Sequence, residues 1–302
     1  MTPSCSLSIL VSRPDIGFMR QTIPHLVRSM NFPFTDRLLL ADTAPLSGSY
    51  ARRGDIGSLE ELRKACAELI ADGCMDRVLE VDHKDEAQLR TYQTHFSKRL
   101  PETRDYRGCP SLARVLAIEE TRGDYLACFD SDMLLYQAPG HDWIREGIRL
   151  FQQAPDVMFV APRPGPPAGG GNLRQPVEYE RDPRGFFRFN TFSSRDFLID
   201  RRRFARLLPI DPGYISWKRR LLGRVTGASA LQVWEVLISG KLGQTHYFRA
   251  DLDSAGAWTL HAPDHGPAFL RALPGIISKV ESGFFPPGQA GDYDLRLDAW
   301  PS

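Results

Sequence analysis

Three short apolar runs in the first half of the chain stop at an aspartate: 37–41 before Asp42, 77–81 before Asp82, and 125–129 before Asp130. A fourth run, 7–11, precedes them. Each is too short for a helix and rich in aliphatic or aromatic residues, so each reads as a buried strand. Helical segments lie between them. Residues 18–30 carry apolar side chains at Phe18, Met19, Ile23, Leu26, Val27 and Met30, a stripe on one helix face. Residues 58–71 open with Ser58-Leu-Glu-Glu61, a capping box. Residues 110–121 form a further helical stretch. Repeated strand–helix units predict an α/β fold, with a mainly parallel central sheet flanked by helices. In such sheets ligands bind beyond the carboxyl ends of the strands. Asp42, Asp82 and the pair Asp130 and Asp132 are therefore expected along one edge.

Asp130-Ser131-Asp132 is the sharpest of these endings. At the end of a strand, residues i and i+2 point to the same side. Two carboxylates held so close repel unless a cation sits beside them. Hard oxygen ligands favour Mg²⁺ or Mn²⁺, and such ions complete their shell with phosphate oxygens. The bland alternative is a turn or a helix cap.

The second half is less regular. Residues 143–153 read as a helix and 157–161 as a strand, followed by a Pro/Gly/Ala loop over 162–171 that could close over a bound ligand. Strands are expected at 186–192, 196–199 and 244–248, and helices at 201–208 and 230–239. The Pro/Gly-rich stretch from Pro274 onward gives no readable pattern. Formal net charge is +1, which excludes a strongly basic field for nucleic acid. No apolar run approaches the ~20 residues of a membrane span, and the first ten residues lack the pattern of a signal peptide. Five cysteines, an odd number without a Cys-x-x-Cys pair, read as reduced thiols of a cytoplasmic protein. The basic run 217–224 invites peripheral contact with a membrane or a lipid-diphosphate acceptor; a solvated helix face is the plainer reading.

Residues 111–132 carry a resemblance. Ala113, Arg114, Gly123, Asp124, Tyr125, Asp130 and Asp132 resemble, without a gap, the family-2 glycosyltransferase segment Ala-Arg-Asn-x-Gly-x-x-x-Ala-x-Gly-Asp-Tyr, an apolar strand and Asp-x-Asp. Two positions depart: the family's Asn is Val115 and its Gly is Ala117. Residues 8–14 with 26–29 look like the family's first strand and helix, and 38–42 like the strand whose acidic end meets the nucleotide base. The family's Asp-Asp-Gly-Ser signature is absent, because the chain reads Asp42-Thr-Ala-Pro45. The resemblance covers roughly residues 5–265, most closely 110–132. It implies one GT-A domain over 1–302, with a nucleotide-sugar-binding half over 1–140 and an acceptor-binding half over 141–302.

The resemblance also implies roles. Asp132 and Asp130 would hold Mn²⁺ or Mg²⁺, with His261 in Trp258-Thr-Leu-His261-Ala-Pro-Asp-His265 the better candidate for a third ligand; Pro263 breaks any helix that would pair the two histidines on one face. A plain loop histidine is the alternative, and Asp264 could serve instead. Asp42, Asp82, Arg114, Asp130 and Arg13 would contact the donor, a nucleotide-diphosphate sugar. Trp234-Glu235 resembles the family's acceptor-side motif, which makes Glu235 the general base for a carbohydrate or other hydroxyl acceptor. Inversion at the anomeric carbon is the family's default. Alternatively, Glu235 complements a helix dipole. A catalytically inactive nucleotide-sugar or carbohydrate-binding relative is the competing function. A sugar nucleotidylyltransferase fits less well, since 12–17 is no Gly-rich phosphate loop. A dehalogenase-type phosphatase would need its aspartates near the start of the domain.

Overall fold

The computed structural model describes residues 3–48, 56–226 and 228–300, apart from the side chains of 222–226. Its strands are β1 (Cys5–Val11), β2 (Arg37–Asp42), β3 (Arg77–Val81), β4 (Tyr125–Asp130), β5 (Met133–Gln137), β6 (Val157–Ala161), β7 (Arg163–Pro164), β8 (Glu180–Asp182), β9 (Phe186–Phe189), β10 (Asp196–Asp200), β11 (Phe248–Leu252) and β12 (Ala257–His261). Its helices are α1 (Met19–Met30), α2 (Leu59–Ala71), α3 (Glu86–Thr94), α4 (Ser111–Glu120), α5 (Trp143–Gln153), α6 (Arg201–Phe204), α7 (Trp217–Thr226), α8 (Trp234–Leu242) and α9 (Pro267–Glu281).

Among the described residues one sheet has nine strands, in the order β3-β2-β1-β4-β10-β6-β11-β9-β8. The first four are parallel neighbours, as the alternation of strand and helix predicts. They are covered on both faces. In β2, Leu39 and Ala41 join the core beneath α1 and α2, while Leu38 and Leu40 join the core beneath α4. The capping box forms: Ser58 Oγ accepts from Glu61 N at 3.1 Å, and Glu61 Oε2 accepts from Ser58 N at 2.6 Å.

The rest of the sheet corrects the expectation of a mainly parallel one. β10 runs antiparallel to both β4 and β6, and β9 antiparallel to both β11 and β8, so the sheet is mixed. An apolar run carries no mark of its direction. Direction is set by the path of the connection, and the path through 133–195 brings the chain back beside β4 from the opposite end.

A second sheet, β5-β12-β7, stands apart, and α9 covers it through Phe269, Leu273 and Ile276, packed with Leu134, Trp258 and Leu260. The Pro/Gly-rich loop is part of this layer. Arg163 and Pro164 pair with β12, Gly165 N donates to Thr259 O at 2.9 Å, and residues 161–166 are buried. That start is built into the fold rather than left free to close over a ligand. The strand expected at 244–248 begins at Phe248.

Candidate active site

The loop after β4 is where the two sheets part. Ser131 is buried, Asp132 turns the chain, and β5 leaves at once for the second sheet. There β5 pairs antiparallel with β12, which sets Met133 opposite His261, and Ala262 N donates to Asp132 O at 3.2 Å. Strand register therefore brings Asp132 and His261 together. His261 Nε2 lies 3.6 Å from Asp132 Oδ2, and His265 Nε2 lies 3.2 Å from the same oxygen. On its far side His261 Nδ1 is 2.7 Å from Asp294 Oδ1.

The antiparallel strand β10 supplies the opposite wall. Asp130 N donates to Arg195 O at 2.7 Å, just before β10 begins. Arg114, near the start of α4, reaches Asp130 Oδ1 at 2.8 Å and donates to Ser194 O at 3.1 Å. Glu235 sits in the first turn of α8, and the Ser194 hydroxyl donates to its Oε1. Arg114, Asp130, Asp132, Arg195, Glu235, His261 and His265 line a cavity of about 280 Å³ at the carboxyl edge of the parallel strands, together with Asp15 and Arg107. A second cavity of about 580 Å³ adjoins it across the shared residues Arg107, Arg195, Val233 and Glu235.

The two carboxylates of the motif are held differently. Burial pushes Asp130 up to about 6; the Arg114 guanidinium opposes this and the Asp132 charge adds to it. Asp132 is equally shielded from water, but the hydrogen bond from His265 and the His261 charge outweigh burial and hold it below the ordinary carboxylate value. Burial, reinforced by Asp132, pushes Asp15 up to about 7. For Arg114, burial works to lower the pKa, and Asp130 more than offsets it, so the guanidinium stays charged.

The donor set suits a cation. Both ring nitrogens of His261 face carboxylates, Asp294 on one side and Asp132 on the other. A neutral imidazole can donate to only one of them, so the second nitrogen needs a proton or a metal between it and Asp132. Asp132 Oδ1 is buried with no hydrogen-bond partner among the described residues. The hydrogen bond from His261 to Asp294 is the orientation that metal-binding histidines commonly have. Among the described residues no three His, Cys, Asp or Glu side chains already surround a common centre. The carboxylate and two imidazoles are closed on one another instead.

The other residues singled out in the sequence lie elsewhere. Asp42 is at the carboxyl end of β2 but is buried beneath Arg104, whose Nη2 is 2.6 Å from Oδ2, and His83, whose Nε2 is 3.1 Å from Oδ1. Asp82 follows β3 in an exposed turn and accepts from Lys84 N at 2.9 Å. Arg13 stands between the lining residues Ser12 and Asp15 without lining the cavity itself. Asp264 accepts from Gly266 N at 2.9 Å, a local turn. Asp15, Arg195 and Asp294 were not singled out. Asp15 had a readable signal: with Ser12 it forms Ser-x-x-Asp directly after the first strand, and its Oδ2 accepts from Ser12 N at 2.6 Å.

No protein-family model matches the chain, and no curated protein matches it. Among solved structures it is similar to GalNAc-T7, determined with UDP, GalNAc and Mn²⁺, with a TM-score of 0.50 and 13% identity. The fold is of the GT-A type. The match covers 86% of this chain but 44% of GalNAc-T7, so the chain spans less than half of that protein's length. The likeness to this GT-A glycosyltransferase lies in the fold. Among the described residues no helix is long and apolar enough to cross a membrane.

Proposed function

We propose that the protein is a family-2-like glycosyltransferase that moves a sugar from a nucleotide-diphosphate sugar to an acceptor hydroxyl with the help of a divalent cation. One observation carries this reading: within a GT-A fold, Asp130, Asp132, His261, Arg114 and Glu235 converge on one cavity at the carboxyl edge of parallel strands. The presence of UDP and Mn²⁺ in the GalNAc-T7 structure supports it. Two imidazoles beside one carboxylate favour Mn²⁺ over Mg²⁺, which prefers oxygen alone. The half over 1–140 would bind the donor and 141–302 the acceptor. Five free cysteines support a cytoplasmic setting.

In this reading Asp132, His261 and His265 hold the cation, with Asp294 orienting His261. When bound, that ion supplies Lewis-acid stabilisation of the charge that develops on the leaving diphosphate. Arg114 fixes Asp130 through one carboxylate oxygen and leaves the other for the ribose or an ordered water. Arg195, on the wall shared by the two cavities, places positive charge beside the diphosphate. Glu235 takes the proton from the acceptor hydroxyl as it attacks, a role suited to a carboxylate within hydrogen-bond reach. Ser194 holds Glu235 by one oxygen and leaves the other for that proton. Back-side attack by the acceptor hydroxyl would invert the anomeric centre, the default that the family resemblance implies.

Thermal unfolding with a panel of nucleotide sugars, with and without Mn²⁺, tests the reading. A donor at a hundred times its Kd adds about 2.7 kcal/mol to stability. The expected result is stabilisation by one class of nucleotide sugar that requires the metal, followed by release of the free nucleotide when acceptor is added. Stabilisation without turnover on any acceptor would leave a nucleotide-sugar-binding protein. No stabilisation by any donor would overturn both readings.

A further inference from the structure

Between Pro212 and Trp234 the chain carries four basic residues, Lys218, Arg219, Arg220 and Arg224, and no acidic one, although its net charge is only +1. This charge is concentrated on an excursion of the chain. Backbone bonds close its neck: Gln232 N donates to Gly213 O at 2.9 Å and Ile215 N to Ala230 O at 3.0 Å, with a bridge between Tyr214 and Leu231. Beyond the neck stands α7. Trp217 is 72% exposed and Leu221 58% exposed, the two most exposed large apolar side chains among the described residues. Four positions apart, they share one helix face. Lys218 and Arg220 flank them on either side, Arg219 stands on the opposite face, and all three are exposed. Arg220 packs over Tyr214 with its guanidinium carbon 4.0 Å from the ring centroid, which ties the basic side to the neck.

An exposed tryptophan and leucine cost free energy in water, and nothing in the described fold covers them. Basic side chains around a Trp/Leu face are the chemistry of a helix that lies in the interface of an anionic bilayer: the indole and isobutyl groups enter the headgroup boundary and the cations meet lipid phosphates and carboxylates. An acidic protein would engage the cations but would give no reason for exposed Trp217. We infer that α7 docks the protein on an anionic lipid surface. The returning strand of the neck leads directly to Val233 and Glu235, which line both cavities, so docking would hold the cavities a few residues from the lipid surface. The inference does not rest on the transferase reading.

Co-sedimentation of the whole chain with vesicles tests it, comparing phosphatidylcholine alone with phosphatidylcholine containing phosphatidylserine. The expected result is binding to the phosphatidylserine vesicles that weakens with added salt. Lys218→Ala with Arg220→Ala should lower the partition coefficient about 25-fold, since each basic residue near an anionic surface contributes about fivefold. Trp217→Ser with Leu221→Ser should remove binding while leaving the thermal midpoint unchanged, because both side chains are exposed. No binding to phosphatidylserine vesicles at low salt would overturn the inference. So would binding that ignores either pair of substitutions, or retention on polyglutamate without retention on vesicles, which would indicate an acidic macromolecule.

Discussion

His25 holds the second sheet against the first helix, and His25→Leu should show how much the site depends on it. His25 is fully buried in α1, and its Nε2 accepts from Leu135 N at 3.1 Å. Strand β5 pairs with β12 along one side only, so this imidazole satisfies a main-chain donor that no strand reaches. Since Nε2 accepts, Nδ1 carries the proton and donates to Glu281 Oε1 at 2.9 Å, which ties α9 to the same point. Leucine fills a similar volume but leaves the Leu135 N–H buried and unpaired, which costs about 1–3 kcal/mol. Loss of the Glu281 bond adds about 1 kcal/mol, discounted because Glu281 is partly exposed. The sum, about 2–4 kcal/mol, should lower the thermal midpoint of a 302-residue chain by roughly 3–6 °C. The pH dependence sharpens the test. Burial lowers the His25 pKa below its ordinary 6.5, so the neutral ring's contribution is full above that pH and is lost as pH falls through the lowered value. The hydrogen bond from His25 holds Glu281 down to about 2 from an ordinary 4.5, so its contribution is full above 4.5 and fades toward pH 2. The stability gap between wild type and His25→Leu should therefore be widest near neutral pH and narrow below pH 6.5. Urea unfolding across that range measures it. A gap under about 0.5 kcal/mol at pH 7.5, or one that does not change with pH, would refute the reasoning.

Asp132→Asn should abolish Mn²⁺-dependent stabilisation by donor while the fold stays intact, because the amide keeps the shape and loses the charge; isothermal titration with Mn²⁺ checks it, and unchanged affinity would remove Asp132 as a ligand. Glu235→Gln should lower turnover by roughly 10²–10⁴-fold with donor affinity retained. Normal transfer rates in that variant would shift the base to another carboxylate, and lost donor binding would make Glu235 a binding residue. Gly123→Ala should destabilise the fold by about 1–3 kcal/mol, since a Cβ there would lie 2.6 Å from Ser6 N and 2.8 Å from the Cys5 carbonyl carbon; a midpoint equal to wild type would show that β1 and β4 can part without cost.

What could be read in the sequence was local. The four parallel strands and the capping box at Ser58 each follow from residues within one or two turns of each other, whereas α8 begins at Trp234 and not at 230 as its pattern suggests. The Gly123-Asp124-Tyr125 segment is legible as a motif, but its physical reason is distant: a Cβ at Gly123 would meet Ser6 and Cys5 of β1, and its N–H donates to Ser6 Oγ at 2.8 Å. What escaped depends on distant partners. β5 is an apolar run that follows the motif without a break, and its identity as a strand comes from β12, more than a hundred residues later. α9 carries Pro274 in mid-helix, which hid it among the Pro/Gly signals; its buried face on Trp258 and Leu260 offsets the missing backbone bond. Within the candidate site, Asp130 and Asp132 stand two residues apart at the end of an apolar strand, so their convergence is legible locally. His265 gains its contact with Asp132 from the loop after β12, and Asp294 its contact with His261 from a segment with no periodicity.

The grip of that segment on His261 sets an order of events during synthesis. His261 N donates to Tyr293 O at 3.0 Å, Leu295 N donates to His261 O at 2.7 Å, and Asp294 between them holds the ring. A chain made from its amino end can fold β1 to β4 early and present the aspartates while β12 is still unmade. The histidine is turned toward them only once Asp294 has been added and its segment has closed alongside β12. Until then the nascent chain carries β1 to β4 and both aspartates without this histidine in place, and the cluster of Asp132, His261 and Asp294 closes only when nearly the whole described fold has been synthesised.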